Sequence, residues 1–160
     1  MSDRTGQIRA HIFQINASQG GVPKLAMGTG VITLDGLTGD RQSNMDVHGG
    51  PERAVCLYSL ERILALQQEG HPIYPGAIGE NLTVASLDWD QVVPGLLLRV
   101  GEAVILRLTS YTNPCSSIVA AFSDRNSKRV SQNLHPGWSR LYARVEQEGS
   151  IRVGDRVEVF

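Results

Sequence analysis

Short apolar stretches, each closed by glycine, proline, asparagine or aspartate, recur along the whole of this 160-residue chain, and that spacing constrains its fold more than any other feature. Residues 7–15 alternate, with Ile8, Ala10 and Ile12 on one side and His11, Phe13 and Ile15 on the other. A second run covers 31–34, and 53–58 form a compact strand in which Cys56 reads as a core residue. Residues 79–84 return to strand after the stiff connector 71–76. Runs 96–100 and 103–111 flank a Gly101-Glu102 turn and predict a hairpin, 141–146 predict a strand, and 151–153 with 156–160 predict a closing hairpin around Gly154-Asp155. One helix interrupts this pattern, with Ser59 as cap, Leu60, Ile63 and Leu64 as its buried stripe, Glu61 and Arg62 toward water, and Gly70 at its end. About eight to ten short strands, one clear helix and one short one predict a mainly β chain, a β-barrel with helical decoration.

Composition narrows the class. One domain spanning 1–160 is expected, and a chain of this size buries roughly 70% of its unfolded surface without staples. With 19% charged residues and a net charge of −1 there is no electrostatic footprint for nucleic acid or an anionic membrane. Neither cysteine has a partner at metal or redox spacing, and residues 1–12 lack the apolar region of a signal peptide, which predicts a cytoplasmic protein. No apolar run approaches the roughly 20 residues of a membrane span.

The chemistry concentrates in a few places. Residues 108–122 run from an alternating strand through Thr112-Asn113-Pro114 to Cys115 and then into a short apolar helix beginning around Ser116. A cysteine at a helix start can have its pKa lowered below the free value of about 8.5 and can attack an electrophile or ligate a metal. The alternative is a small packed cysteine after a turn. Residues 16–24 combine small polar residues, Gly20, Gly21, Pro23 and Lys24, a composition that lets main-chain N–H groups approach a phosphate, or that simply makes an exposed turn. Residues 36–53 carry Asp40, Arg41, Asp46, His48 and Arg53 among four glycines, more chemistry than a connection needs. Asp40-Arg41 also reads as a surface ion pair, and His48 as an exposed loop histidine. Glu80 and Asn81 open one strand, and His135, Trp138 and Arg140 gather just before another.

The segments GGVPK (20–24), GLTGDRQ (36–42), DVHGGPERAVCLYS (46–59), PGAIGENLTV (75–84), TNPC (112–115), HPGWSRLYARV (135–145) and IRVGDRVEVF (151–160), in this order, resemble the MOSC domain family, named for the C-terminal domain of molybdenum cofactor sulfurase. The resemblance covers nearly the whole chain and is to the stand-alone bacterial members. It implies a β-barrel similar to the one inserted in pyruvate kinase and a molybdenum cofactor (molybdopterin) as ligand. It further implies that Cys115 is the molybdenum ligand or a sulfur acceptor, with His48 and Asp40 beside it in catalysis. The 20–24 loop, with Gly20, Gly21 and Lys24, would face the cofactor phosphate, and Arg41, Glu80, Asn81, Asn113, His135 and Arg140 would line the pterin and the metal edge. Family members often carry an aromatic or basic residue where Ser116 stands here, and often continue into a C-terminal helical segment.

Three functions follow as expectations. The first is an oxidoreductase that reduces N-hydroxylated small molecules with electrons from a separate flavin or iron–sulfur reductase, since no cysteine cluster for an iron–sulfur centre is present in the chain. The second is a sulfur carrier holding a persulfide on Cys115, or a carrier of cofactor without turnover. The third is a binding barrel with an inert cysteine. A zinc site from Cys56, Cys115, His48 and His135 lacks zinc spacing.

Overall fold

The computed structural model describes residues 9–41 and 50–160. His48 therefore lies outside the described residues, as does Asp46. Among the described residues the chain runs β1 (His11–Ala17), β2 (Leu25–Met27), β3 (Thr29–Thr33), β4 (Gly36–Leu37), β5 (Val55–Ser59), α1 (Leu60–Gln68), β6 (Leu82–Ala85), β7 (Leu97–Val100), β8 (Val104–Tyr111), β9 (Leu141–Gln147), β10 (Gly149–Arg152) and β11 (Val157–Val159). Single 3-10 segments cover Pro51–Arg53, Trp89–Gln91, Ser116–Ala121 and Ser127–Val130. The mainly β expectation holds.

The strands form an eight-stranded sheet in the order β11-β7-β8-β9-β5-β6-β1-β2 and a separate three-stranded sheet, β10-β3-β4. The large sheet curls until Ile12 N–H donates to the Asp155 carbonyl and Val157 N–H to the Ala10 carbonyl, both at 2.9 Å, beside a lone bridge between His11 and Arg156. A bridge is not a ladder, so among the described residues the expected barrel is not closed. Closure needs a continuous staggered ladder, and β10 leaves the large sheet to pair with β3 instead.

The same diversion corrects the predicted closing hairpin. The turn is present, with Gly154 at φ 93 and Arg152 N–H held by Asp155 Oδ2 at 2.9 Å. Its two arms, however, join different sheets, Ile151 opposite Gly30 and Val157 opposite Val100. Gly30 keeps this contact open, because an added Cβ would lie 2.7 Å from Leu37 Cδ1 and the buried Leu37 side chain would have to shift.

The expected hairpin β7/β8 forms, with Leu98 opposite Leu106. Between β5 and β6 the chain crosses over through α1, and the two strands pair in parallel with every residue buried. Continuous burial explains why these segments read as unbroken apolar runs. Ser59 caps α1 by accepting from Arg62 N–H at 3.2 Å. The buried face is Ile63 and Leu66, while Leu64 is exposed, so the predicted stripe is rotated by part of a turn. Arg62 is only partly open to water. Its guanidinium lies 4.8 Å over the Trp138 ring and donates to the Gly137 carbonyl and to Asp90.

Candidate functional site

Strand alternation builds the floor of the site. On β5, Val55 and Leu57 point into the core, so Cys56 between them points to the opposite face, where it sits across from Tyr142 of β9. Arg140, two residues before Tyr142, comes to the same face. These three side chains floor a half-open cleft of about 510 Å³, counting its mouth. The walls are Gly21, Val22 and Lys24 from the β1–β2 connection, Arg41, Ile78 and Gly79 ahead of β6, and Cys115, Ser117 and Ile118 beyond β8. Gly79 has φ +92 and an added Cβ would lie 3.1 Å from Val22, so bare backbone is needed for the two walls to close together.

Cys115 caps the 3-10 segment Ser116–Ala121, whose Ile118 and Ala121 are buried and anchor it. The predicted short helix is thus present as a 3-10 turn. The thiol is partly exposed, not packed in the core, and its Sγ lies 2.7 Å from Ser117 Oγ. Cys56 is a buried core residue, as expected, and it also floors the cleft. Burial pushes its thiol up to about 11 despite the opposing pull of Arg140 and Lys24. Burial likewise pushes the Tyr142 phenol up to about 12, with Cys56 the next contributor.

Behind the cleft lies a buried polar network. Lys24 Nζ meets both oxygens of Asp40 at 2.8 and 2.7 Å, with the two side chains 6% and 5% exposed. Asp40 also accepts from Ser18 N–H at 3.0 Å and from Asn81 Nδ2 at 2.9 Å. Asn81 in turn accepts Cys56 N–H at 2.9 Å, and its own N–H donates to the Cys56 carbonyl at 2.8 Å, so one side chain ties the cleft floor to the wall. Glu80 accepts from Gly76 N–H at 3.1 Å and Thr83 Oγ at 2.9 Å, and burial raises its carboxyl to about 7. Asn16 completes the network by donating to the Glu80 carbonyl and Thr83 Oγ.

Of the residues singled out in the sequence, Gly21, Lys24, Arg41, Cys115 and Arg140 line the cleft. Asp40, Glu80 and Asn81 do not line it. They stand behind it and brace it, because each spends its polar atoms on neighbouring backbone and side chains. Gly20, Asn113 and His135 are exposed and lie off the cleft. The main chain carries them past it: His135 sits in a turn closed by Trp138 N–H on its carbonyl. Lys24 is neither the solvated lysine nor the free phosphate ligand that the sequence suggests, since Asp40 occupies its ammonium. Asp40 accordingly makes no surface pair with Arg41. Sequence reading missed Tyr142, and the place of Cys56 on the cleft floor. Cys56 carried one usable signal, its odd parity against Val55 and Leu57 in a strand buried on both faces.

Such a molecule is a curled-sheet protein with a cleft that presents a reachable thiol between arginines. The MOSC domain model matches residues 44–158, and the chain belongs to that family. Protein YflK of Bacillus subtilis is 32% identical over 123 residues, covering 76% of this chain and 54% of its own length. Protein YiiM of Escherichia coli is 33% identical over 113 residues, covering 68% of this chain and 50% of its own. The chain thus spans about half the length of these curated relatives. A protein named Reductase from Gibberella moniliformis is 29% identical over 160 residues, 97% of this chain but 26% of its own. Among solved structures, YUAD of Bacillus subtilis superposes with a TM-score of 0.76 over 95% of this chain and 96% of its own at 16% identity, a likeness of fold.

Proposed function

We propose that this protein holds a molybdenum-containing pterin cofactor in the cleft, with Cys115 as the metal's protein ligand, and reduces N-hydroxylated compounds with electrons from a separate flavin or iron–sulfur reductase. The observation that carries this reading is the placement of Cys115: a partly exposed sulfur at the wall of the cleft, on a segment anchored by buried Ile118. Membership of the MOSC family and the relative named Reductase support it.

The donor set fits such a group. Among the described residues no three metal-ligating side chains come together. A metal beside Cys115 therefore takes one soft ligand from these residues and brings the remainder with its own organic ligand. Cys56, raised to about 11, stays a thiol near neutral pH and is a poor competitor for the metal. The Ser117 hydroxyl at 2.7 Å is placed to donate to the Cys115 thiolate and hold it on one rotamer. Arg41 and Arg140 bring positive charge to an anionic ligand, and the bare backbone of Gly21, with nothing within 4 Å of a Cβ position, leaves room against the wall. When bound, the cofactor would supply the redox centre for removing the N-hydroxyl oxygen as water, a reaction that consumes two electrons and two protons.

Metal content after expression with molybdate tests the reading. The wild type should retain molybdenum in stoichiometric amount, the Cys115→Ser variant should lose it by at least about tenfold, and Cys56→Ala should keep it. Equal molybdenum in the wild type and Cys115→Ser would refute the ligand assignment. Cyanide-releasable sulfur without metal would favour the sulfur carrier instead.

A further inference from the structure

Tyr142 stands on β9 between Leu141 and Ala143, both of which belong to the core, so strand alternation directs its side chain to the cleft that it lines. The Arg53 guanidinium lies 5.5 Å from its ring centre. Its phenol is within electrostatic reach of both thiols, Cys56 on the floor and Cys115 on the wall, and of the Arg140 and Arg53 cations. Among the described residues lining the cleft, the other side chains are poorly suited to hand over a proton there. A guanidinium does not release one, which sets Arg41 and Arg140 aside. Lys24 turns its ammonium to both oxygens of Asp40 behind the wall, and Ser117 Oγ is engaged with Cys115 Sγ at 2.7 Å. Cys56 is a short side chain on the floor, and the phenol beside it reaches farther into the cleft.

Removing an N-hydroxyl oxygen as water needs a proton at the place where the N–O bond breaks. We propose that Tyr142 is the proton donor of this cleft, its phenol O–H protonating the leaving oxygen of the substrate. The N–O bond takes up two electrons from the separate reductase as it breaks. The oxygen keeps its own hydrogen, gains the proton of Tyr142 and leaves as water, while the nitrogen takes a second proton from solvent. Solvent at the open mouth of the cleft then returns a proton to the phenolate. Burial, which pushes the phenol up to about 12, keeps it in the acid form when substrate arrives, and the positive charges of Arg140 and Arg53 offset the phenolate left behind. So weak an acid gives up its proton only to a strongly basic acceptor, which the oxygen becomes as the bond breaks. The inference rests on the reduction proposed above but assigns nothing to Cys115, so the two can fail separately.

The first test needs no cofactor. In the full chain with labelled tyrosine rings, the Tyr142 ring resonance, assigned by its loss in Tyr142→Phe, should shift when Cys115 is blocked with methyl methanethiosulfonate, since the phenol faces the same cleft as that sulfur. A resonance that does not move would overturn the proposal. The second test uses the molybdenum-loaded protein, with N-hydroxybenzamidine as substrate and reduced methyl viologen as electron donor. Tyr142→Phe keeps the ring beside Arg53 and removes only the hydroxyl. It should lower kcat by about a hundredfold while KM and molybdenum content stay as in the wild type, a split that a merely structural hydroxyl would not produce. Unchanged kcat in Tyr142→Phe with molybdenum retained would overturn the donor role and leave the Cys115 assignment standing. Loss of molybdenum from Tyr142→Phe would also overturn it, by showing that the hydroxyl holds the cofactor instead. A wild type that binds molybdenum but does not reduce the substrate would refute the proposed reduction, and the donor role with it.

Discussion

Replacing Asp40 with asparagine removes one charge from a wholly enclosed pair and keeps the shape of the side chain. In the folded protein Oδ1 accepts from Ser18 N–H and Lys24, and Oδ2 accepts from Lys24 and Asn81 Nδ2. An asparagine amide can face either way, but in both orientations its NH2 meets a donor. Lys24, with its side chain 6% exposed, is then left charged without a counter-ion. Breaking a buried pair from one side costs about 3–5 kcal/mol. With a urea slope of about 2 kcal/mol per molar, the unfolding midpoint should fall by about 1.5–2.5 M. Urea titration followed by tryptophan fluorescence measures it directly. The double variant Lys24→Met/Asp40→Asn should recover part of the loss, with a coupling energy of about 1–3 kcal/mol. A midpoint shift below about 0.3 M for Asp40→Asn, or single effects that simply add, would show that the pair does not hold the 18–24 and 39–41 segments against Asn81 as argued.

The two cysteines should differ in reactivity: Cys115 is partly exposed while burial raises Cys56 to about 11, so a thiol reagent at pH 7.5 should label Cys115 at least about tenfold faster. Mass spectrometry of partially labelled native protein resolves the two sites, and equal rates would contradict the cleft geometry. Glu80 makes stability depend on pH. Its folded pKa, about 7, lies above the ordinary 4.5, so the folded state binds the extra proton between those values. The stability it contributes is present below pH 4.5 and is lost as pH rises through about 7, on the order of 3 kcal/mol at most. Glu80→Gln should flatten that slope in urea titrations at a series of pH values, and an unchanged slope would assign the dependence to another group.

How much of this was legible beforehand differs between elements for physical reasons. Local features were written in the chain. The Ser59 cap and the β7/β8 hairpin depend on residues a few positions apart, and their chemistry is readable at that range. So is the delivery of Cys115 into a short helical turn, which follows from residues 112–118 alone. Part of the candidate set was legible as well: Lys24, Asp40, Arg41, Asn81, Cys115 and Arg140 belong to one spatial neighbourhood, while Gly20, Asn113 and His135 lie off the cleft.

What the sequence could not determine is which partner each group meets. Gly154-Asp155 announces a reversal, but the choice of β3 for one arm and β7 for the other depends on hydrogen-bond acceptors far away in the chain. Cys56 sits in an apolar run whichever way it points, and its place on the cleft floor follows from β5 lying between β6 and β9 with both faces covered. Lys24 reads as a solvated cation until Asp40, sixteen residues on, is folded against it. Arg140 reads as one of several arginines until burial removes its water and leaves its Nε–H without an acceptor. The residue types were set by the sequence. Their charge balance, and with it the distinction between the bracing Lys24–Asp40 ion pair and a buried arginine outside any ion pair among the described residues, was decided by long-range contacts, because desolvation is a property of the packed molecule and not of any segment of it.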